Sequence, residues 1–307
     1  MHVLVTGAGG FIGRSVVQKA QSRGWKVTAV ARRESKETDL IADLREPIIN
    51  FPVPDAVIHL AGGYAGCGLR ELTGTDIFIA HNLLKWGKQE GVRKWVFASA
   101  AEVYGDIEGV ADESYPCKPV IPYGKIKFII EGMFRNAGLP KVMICRIGEV
   151  YGSNGRILQE LGGKLRSGFC PWPGDGKVKI SFVNAEDAAE ALVLACENTK
   201  PGLNIYNVGD DEPATWGQFL DEIAAQLGVQ SVYHLPKPIA YCYASVMSWM
   251  DKLFGRPVNI TPHLLRLLVT PKVMSSARIK EELGFVPKYP NIYIGLKEAF
   301  RSSKLSV

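Results

Sequence analysis

The sequence predicts an α/β protein built on a doubly wound parallel sheet, with a smaller C-terminal lobe. Two observations carry this. Apolar strand-like runs alternate with helix-period segments through the first half of the chain, and residues 5–15, VTGAGGFIGRS, place a glycine-rich turn between the first strand and the first helix.

In chain order, 3–5 read as a strand and 11–20 as a helix, with Phe11, Ile12, Val16, Val17 and Ala20 at helical spacing. A strand over 26–31, a loop, a strand over 56–61 and a helix over 75–91 follow. A strand over 94–99, a long helix around 122–138 and a strand over 141–146 complete the regular part. After about residue 152 the pattern breaks into short pieces, GFCPWPGDGK and VGDDEPATW, mixed with helices over 186–197 and 215–227. Residues 1–165 are therefore expected to bind a dinucleotide and 166–307 mainly a substrate, with segments at about 183–210 returning to the first unit.

A chain of 307 residues, 47% hydrophobic, has ample material for a packed core. Its 36 basic and 31 acidic residues are scattered, so the net charge of +5 reads as ordinary surface and no nucleic-acid partner is expected. The six cysteines, Cys67, Cys117, Cys145, Cys170, Cys196 and Cys242, show neither metal-site nor disulfide spacing and read as reduced, mostly buried thiols. No charged leader precedes the first strand and no apolar run is long enough for a membrane span, so the expected location is cytoplasmic. The most apolar stretch, PIAYCYASVMSWM at 238–250, is suited to touch a membrane or a greasy ligand.

The glycine turn carries the first chemistry. Glycines between a strand and a helix let a ligand approach the backbone, while exposed N–H groups and the helix dipole favour an anion; a dinucleotide pyrophosphate fits there. Tyr123 and Lys127, four residues apart on the long helix, share one face. An ammonium about 5 Å from a phenol favours phenolate by roughly 3 kcal/mol, lowering its pKa by about two from the usual 10. Tyr123 is thus a candidate proton donor or acceptor.

Taken together, TGAGGFIG, DL at 43–44, HLAG at 59–62, ASAAEVYG at 98–105, YGKIK at 123–127, RIGEVYG at 146–152 and later ISFVNAEDAAEA, NIYNVGDDEPATW and SSARIKEELGFVPK resemble the extended short-chain dehydrogenase/reductase superfamily. This is the group of NAD(P)-dependent epimerases, dehydratases and sterol or flavonol dehydrogenases, and the match runs nearly end to end. The resemblance implies a Rossmann-type fold and a pyrophosphate site at Gly7, Gly10, Phe11, Ile12 and Gly13. It also implies that Asp43 and Leu44 border the adenine, that the turn of Ala61, Gly62 and Gly63 passes close to the dinucleotide, and that Lys127 holds the nicotinamide ribose. It suggests a homodimer through helices 75–91 and 122–138, the second rich in Ile126, Phe128, Ile129, Ile130, Met133 and Phe134.

The second strand ends at Ala31, without an acidic residue to receive the adenosine ribose hydroxyls, and is followed by Arg32 and Arg33. Two guanidinium groups suit a 2′-phosphate, so NADP(H) is favoured, with NAD(H) the alternative. Other departures concern the substrate. The position that supplies a hydroxyl to the reacting oxygen in the superfamily is Ala100, a loss on the order of 3 kcal/mol in transition-state stabilisation. Ser99, a water or the substrate's own hydroxyl could stand in. Glu102 aligns with a catalytic glutamate of nucleotide-sugar dehydratases, although its neighbours are Ala100 and Ala101. Ile180 and Glu149 replace residues that bind a nucleoside diphosphate, which opposes such a substrate. Three readings follow: an NAD(P)(H)-dependent oxidoreductase acting on a secondary alcohol or carbonyl, a nucleotide-sugar epimerase or dehydratase with retained NAD, and a dinucleotide-binding regulatory protein. No metal is expected.

Overall fold

The computed structural model describes residues 1–63, 69–230, 233–253 and 262–303, which leaves Cys67 outside the described residues. The elements run β1 (His2–Thr6), α1 (Phe11–Ser22), β2 (Lys26–Ala31), β3 (Leu40–Ile41), β4 (Ala56–His59), α2 (Leu69–Gln89), β5 (Lys94–Ala100), a 3-10 turn (Ala101–Val103), α3 (Pro122–Asn136), β6 (Lys141–Ile147) and β7 (Glu149–Tyr151). Then come α4 (Arg156–Arg166), β8 (Pro171–Pro173), β9 (Lys179–Ile180), β10 (Phe182–Asn184), α5 (Ala185–Glu197), β11 (Gly202–Val208), β12 (Ala214–Thr215), α6 (Trp216–Leu227), β13 (Tyr233–Leu235), α7 (Lys237–Leu253), α8 (Pro262–Val269), α9 (Ala277–Leu283) and α10 (Ile292–Arg301).

Seven strands form one sheet in the order β11-β6-β5-β4-β1-β2-β3, every pairing parallel. The winding reverses between β1 and β4, where the C-terminal strand ends leave a crevice, as expected of a Rossmann-type α/β fold. Alternation of side chains along the strands builds two cores. Val3, Val5, Val96, Ala98, Met143 and Cys145 pack with α1 and α5 on one face. Leu4, Val57, Trp95, Phe97, Val142 and Ile144 pack with α2 and α3 on the other. A third core, around Trp172, Phe182, Trp216 and Phe219, fills the lobe.

Several boundaries differ from the sequence pattern. The strand expected over 56–61 stops at His59, because the chain turns there: Leu60 N–H donates to the Thr6 carbonyl, and the N–H groups of Leu60 and Ala61 donate to Thr6 Oγ1. The loop after β2 contains the two-residue β3. Thr215 is not in its helix but caps it, its Oγ1 accepting from Gln218 N–H while Gln218 Oε1 accepts from Thr215 N–H.

The apolar stretch at 238–250 lies in α7, which packs on α8 through Ala240, Ala244 and Leu265. It leaves Ile239, Tyr243, Val246 and Trp249 exposed. Among the described residues, Cys145, Cys170 and Cys196 are buried free thiols, Cys117 is half-buried and Cys242 is exposed. No helix among them is long and apolar enough to cross a membrane.

Candidate active site

The glycine turn sits at the crevice. Gly7 adopts φ +70°, and a Cβ there would lie 2.8 Å from Ala61 N. A Cβ on Gly13 would lie 2.1 Å from the Gly7 carbonyl oxygen, so the turn is closed tightly under the first turn of α1. Gly10 is the N-cap of α1 and donates its N–H to Gly7 O at 2.9 Å. Phe11 opens the helix and lays its ring against Gly152 and Gly155, while Ile12 packs on the core below. This cradle, which no side chain could share, fits a pyrophosphate at a helix N-terminus.

Arg32 and Arg33 are exposed just beyond β2. Leu44 is buried in the α2 and α3 core, whereas Asp43 is clasped by Arg45, whose Nε donates to both carboxylate oxygens at 2.9 Å. Hydrogen bonding to Arg45 lowers the Asp43 pKa to about 2. The Ala61, Gly62 and Gly63 turn follows β4 on the opposite side of Gly7.

Tyr123 and Lys127 lie on α3, whose first residue is Pro122, a good start for a helix because its missing N–H is not needed there. Lys127 is buried; its Nζ donates to the Ala98 carbonyl at 3.1 Å and stands 5.7 Å from the centre of the Tyr123 ring and 5.0 Å from that of Phe97. Burial lowers the Lys127 pKa, opposed by the carboxylates of Asp76, Glu102 and Glu131. The pair therefore places a buried ammonium beside a phenol at the end of β5.

Ser99 and Glu102, the remaining predicted residues, are each committed elsewhere. Ser99 Oγ donates to Glu131 Oε1 at 2.6 Å, and Glu131 in turn receives Nε and NH2 of Arg146 at 3.1 and 2.8 Å, all three residues being buried. That hydroxyl serves an internal ion pair. Glu102, in the 3-10 turn after β5, accepts from Lys272 Nζ at 2.7 Å, and the same ammonium stands 3.7 Å from Glu149. Burial works against the Lys272 charge, yet its two carboxylates outweigh it and raise the pKa; burial and Glu102 raise that of Glu149. Ile180 is fully buried in β9.

The sequence reading missed Lys272, Glu131 with Arg146, and Asp76, whose carboxylate accepts the Gly63 N–H at 2.9 Å on both oxygens. Lys272 reaches Glu102 across 170 residues of chain, and no local pattern announces such a contact. Among the described residues, no group of three His, Cys, Asp or Glu is placed to hold a metal ion.

The chain is 26% identical over 369 aligned residues to UDP-arabinose 4-epimerase 1 of Arabidopsis thaliana, covering 99% of this chain and 80% of that one. It is 25% identical to 2-alkyl-3-oxoalkanoate reductase of Stenotrophomonas maltophilia, covering 100% and 99%. A structure of a human epimerase family protein with NADPH superposes with a TM-score of 0.79 at 21% identity, covering 98% and 100%. Residues 3–209 match the NAD dependent epimerase/dehydratase family, and the chain belongs to that family of enzymes.

Proposed function

We propose that this enzyme is an NAD(P)(H)-dependent oxidoreductase that interconverts a secondary alcohol and its carbonyl compound. The carrying observation is the buried Lys127 ammonium, anchored on the Ala98 carbonyl and set 5.7 Å from the Tyr123 ring, at the strand ends beside the glycine cradle. Tyr123 gives its proton to the carbonyl oxygen in reduction and takes it from the alcohol in oxidation; Lys127 stabilises the phenolate between these events. Gly7, Gly10, Phe11, Ile12, Gly13 and the turn of Ala61, Gly62 and Gly63 would hold the dinucleotide, with Lys127 at its nicotinamide ribose. When bound, the dinucleotide supplies or accepts the hydride. The exposed Arg32 and Arg33 and the lack of a carboxylate at Ala31 favour NADP(H).

Ile180 offers no cation and the Lys272 ammonium is already held by Glu102 and Glu149, which favours an uncharged alcohol or ketone over a phosphate. The likeness to a 2-alkyl-3-oxoalkanoate reductase is consistent with reduction of a ketone carbonyl. With Ser99 engaged by Glu131, the second donor to the reacting oxygen is a water or a hydroxyl of the substrate itself.

A nucleotide-sugar epimerase or dehydratase with retained NAD is the second reading, favoured by the likeness to UDP-arabinose 4-epimerase 1 along 99% of the chain. The Lys272 ion pair opposes the dehydratase branch of that reading, because it engages the one carboxylate that aligned with a dehydratase proton carrier. In the proposed enzyme, residues 1–165 serve the dinucleotide and 166–307 mainly the substrate, in the cytoplasm. Two copies pair through the outer faces of α2 and α3, where Phe78, Phe128 and Ile129 are exposed near a groove of about 440 Å³ lined by His81, Leu84, Lys85, Lys88, Met133 and Ala137.

Denaturing the purified protein and weighing any released dinucleotide by mass spectrometry tests the reading. Protein that is largely empty and then binds NADPH reversibly supports it; near-stoichiometric NAD supports the epimerase or dehydratase.

A further inference from the structure

We propose that Asp76 is a positioning residue of the dinucleotide site: its carboxylate fixes the Gly62 and Gly63 turn and supplies the negative charge that keeps Lys127 protonated beside Tyr123. The inference rests on the reading of Tyr123 and Lys127 as the catalytic pair.

Asp76 lies in α2 and is 1% exposed. Both its oxygens accept from Gly63 N–H at 2.9 Å, and a Cβ on Gly62 would stand 2.8 Å from its Oδ2. The turn is thus moulded onto the carboxylate. A neutral acceptor would do that work equally well, and burying a charge is costly unless another charge answers it. Burial raises the Asp76 pKa, and it is opposed by Lys127 on α3, by the Gly63 N–H and by Arg32 just beyond β2, the groups that favour the charged form.

The surroundings of Lys127 show which carboxylate answers its charge. Three acidic groups face it: Asp76, Glu102 and Glu131. Glu131 is bound by Arg146, and Glu102 by Lys272. Asp76 makes no ion pair within 4 Å among the described residues, so its charge is uncommitted by comparison. His59, on β4, also faces Lys127, but burial lowers its pKa to about 3 and leaves it neutral. Removing the Asp76 charge therefore takes away the one of these three supports of Lys127 that is not held in an ion pair within 4 Å among the described residues.

Two substitutions separate the two tasks. Asp76→Asn keeps an acceptor for Gly63 N–H and loses the charge; Asp76→Ala loses both. NADPH binding to the apo protein, followed by fluorescence, should stay within about threefold of wild type in Asp76→Asn and weaken tenfold or more in Asp76→Ala. Lysine labelled with 13C at Cε, with Lys127→Met identifying the signal, reports the Lys127 titration by NMR. In Asp76→Asn its midpoint should fall by about one pH unit, and the alkaline limb of kcat should move down with it. An unchanged Lys127 midpoint in Asp76→Asn, or wild-type NADPH affinity in folded Asp76→Ala, overturns the proposal. Should Asp76→Ala not fold, the Asp76→Asn titration decides alone. Because titration and binding need no substrate, they stand even if no ketone is turned over, an outcome that would count against the oxidoreductase reading alone.

Discussion

Lys272 and Glu102 are 170 residues apart in the chain and 2.7 Å apart in the fold, and that contact ties the lobe to the C-terminal end of β5 in the central sheet. Lys272 is held by backbone pairing to β9, since Lys272 N–H donates to Lys179 O and its own carbonyl accepts from Ser181 N–H. The ammonium is thereby delivered to two carboxylates on different elements.

Lys272→Met leaves the partly buried Glu102 and Glu149 without their cation and should cost about 2–3 kcal/mol of stability. Lys272→Met with Glu102→Gln should recover part of that loss. Urea denaturation of the two single variants and the double variant measures the coupling, and strict additivity would show that the contact contributes nothing.

Ser99→Ala should leave kcat within about threefold while costing about 1 kcal/mol of stability, because its hydroxyl bonds Glu131 rather than the reacting oxygen. Ala100→Ser, which restores a hydroxyl at the end of β5, should raise kcat by tenfold or more. Steady-state kinetics on both variants checks the pair of expectations; a large loss of kcat in Ser99→Ala would return Ser99 to the chemistry.

Asp210 is buried at the end of β11, with Oδ1 unbonded and Oδ2 receiving a long hydrogen bond from Tyr151 Oη. Burial, reinforced by the charge of Asp187, pushes its pKa up to about 9, while the unfolded carboxyl ionises near 4. Between those values the folded protein holds one proton more, so this group makes stability fall as pH rises from about 4 to about 9. Asp210→Asn should flatten that fall and raise Tm at pH 8. Calorimetry from pH 5 to about pH 9 tests it, and a parallel decline in the variant would contradict the assignment.

Gly13→Ala places a methyl 2.1 Å from the Gly7 carbonyl and should abolish dinucleotide binding, whereas Gly163→Ala, on α4 with open space around it, should leave binding unchanged. Titration with NADPH followed by fluorescence reads both.

Five of the seven strands of the central sheet were legible because they carry apolar runs between periodic helices, β5 and β6 each spanning seven residues; β3 has only two residues, and β11 lies beyond residue 152, where the regular alternation breaks. The lobe was not, because β8, β9, β10, β12 and β13 are two or three residues long and their pairing depends on partners far along the chain. The same limit applies to the site. Tyr123 and Lys127 announce themselves by local spacing on one helix, and Gly7 and Gly13 by their place between strand and helix. Glu102, Ser99 and Asp76 acquire their roles from Lys272, Glu131 and Gly63, which the fold brings to them.

Tyr123 is proposed as the proton donor in net reduction of an uncharged carbonyl. The most direct test follows the absorbance of reduced nicotinamide while purified protein and NADPH meet a panel of uncharged ketones, with Tyr123→Phe as control. One NADPH should be consumed per ketone reduced, with a loss on the order of 10²-fold or more in Tyr123→Phe and NADPH binding retained. Interconversion of a nucleotide sugar with no net consumption of NADPH would contradict it.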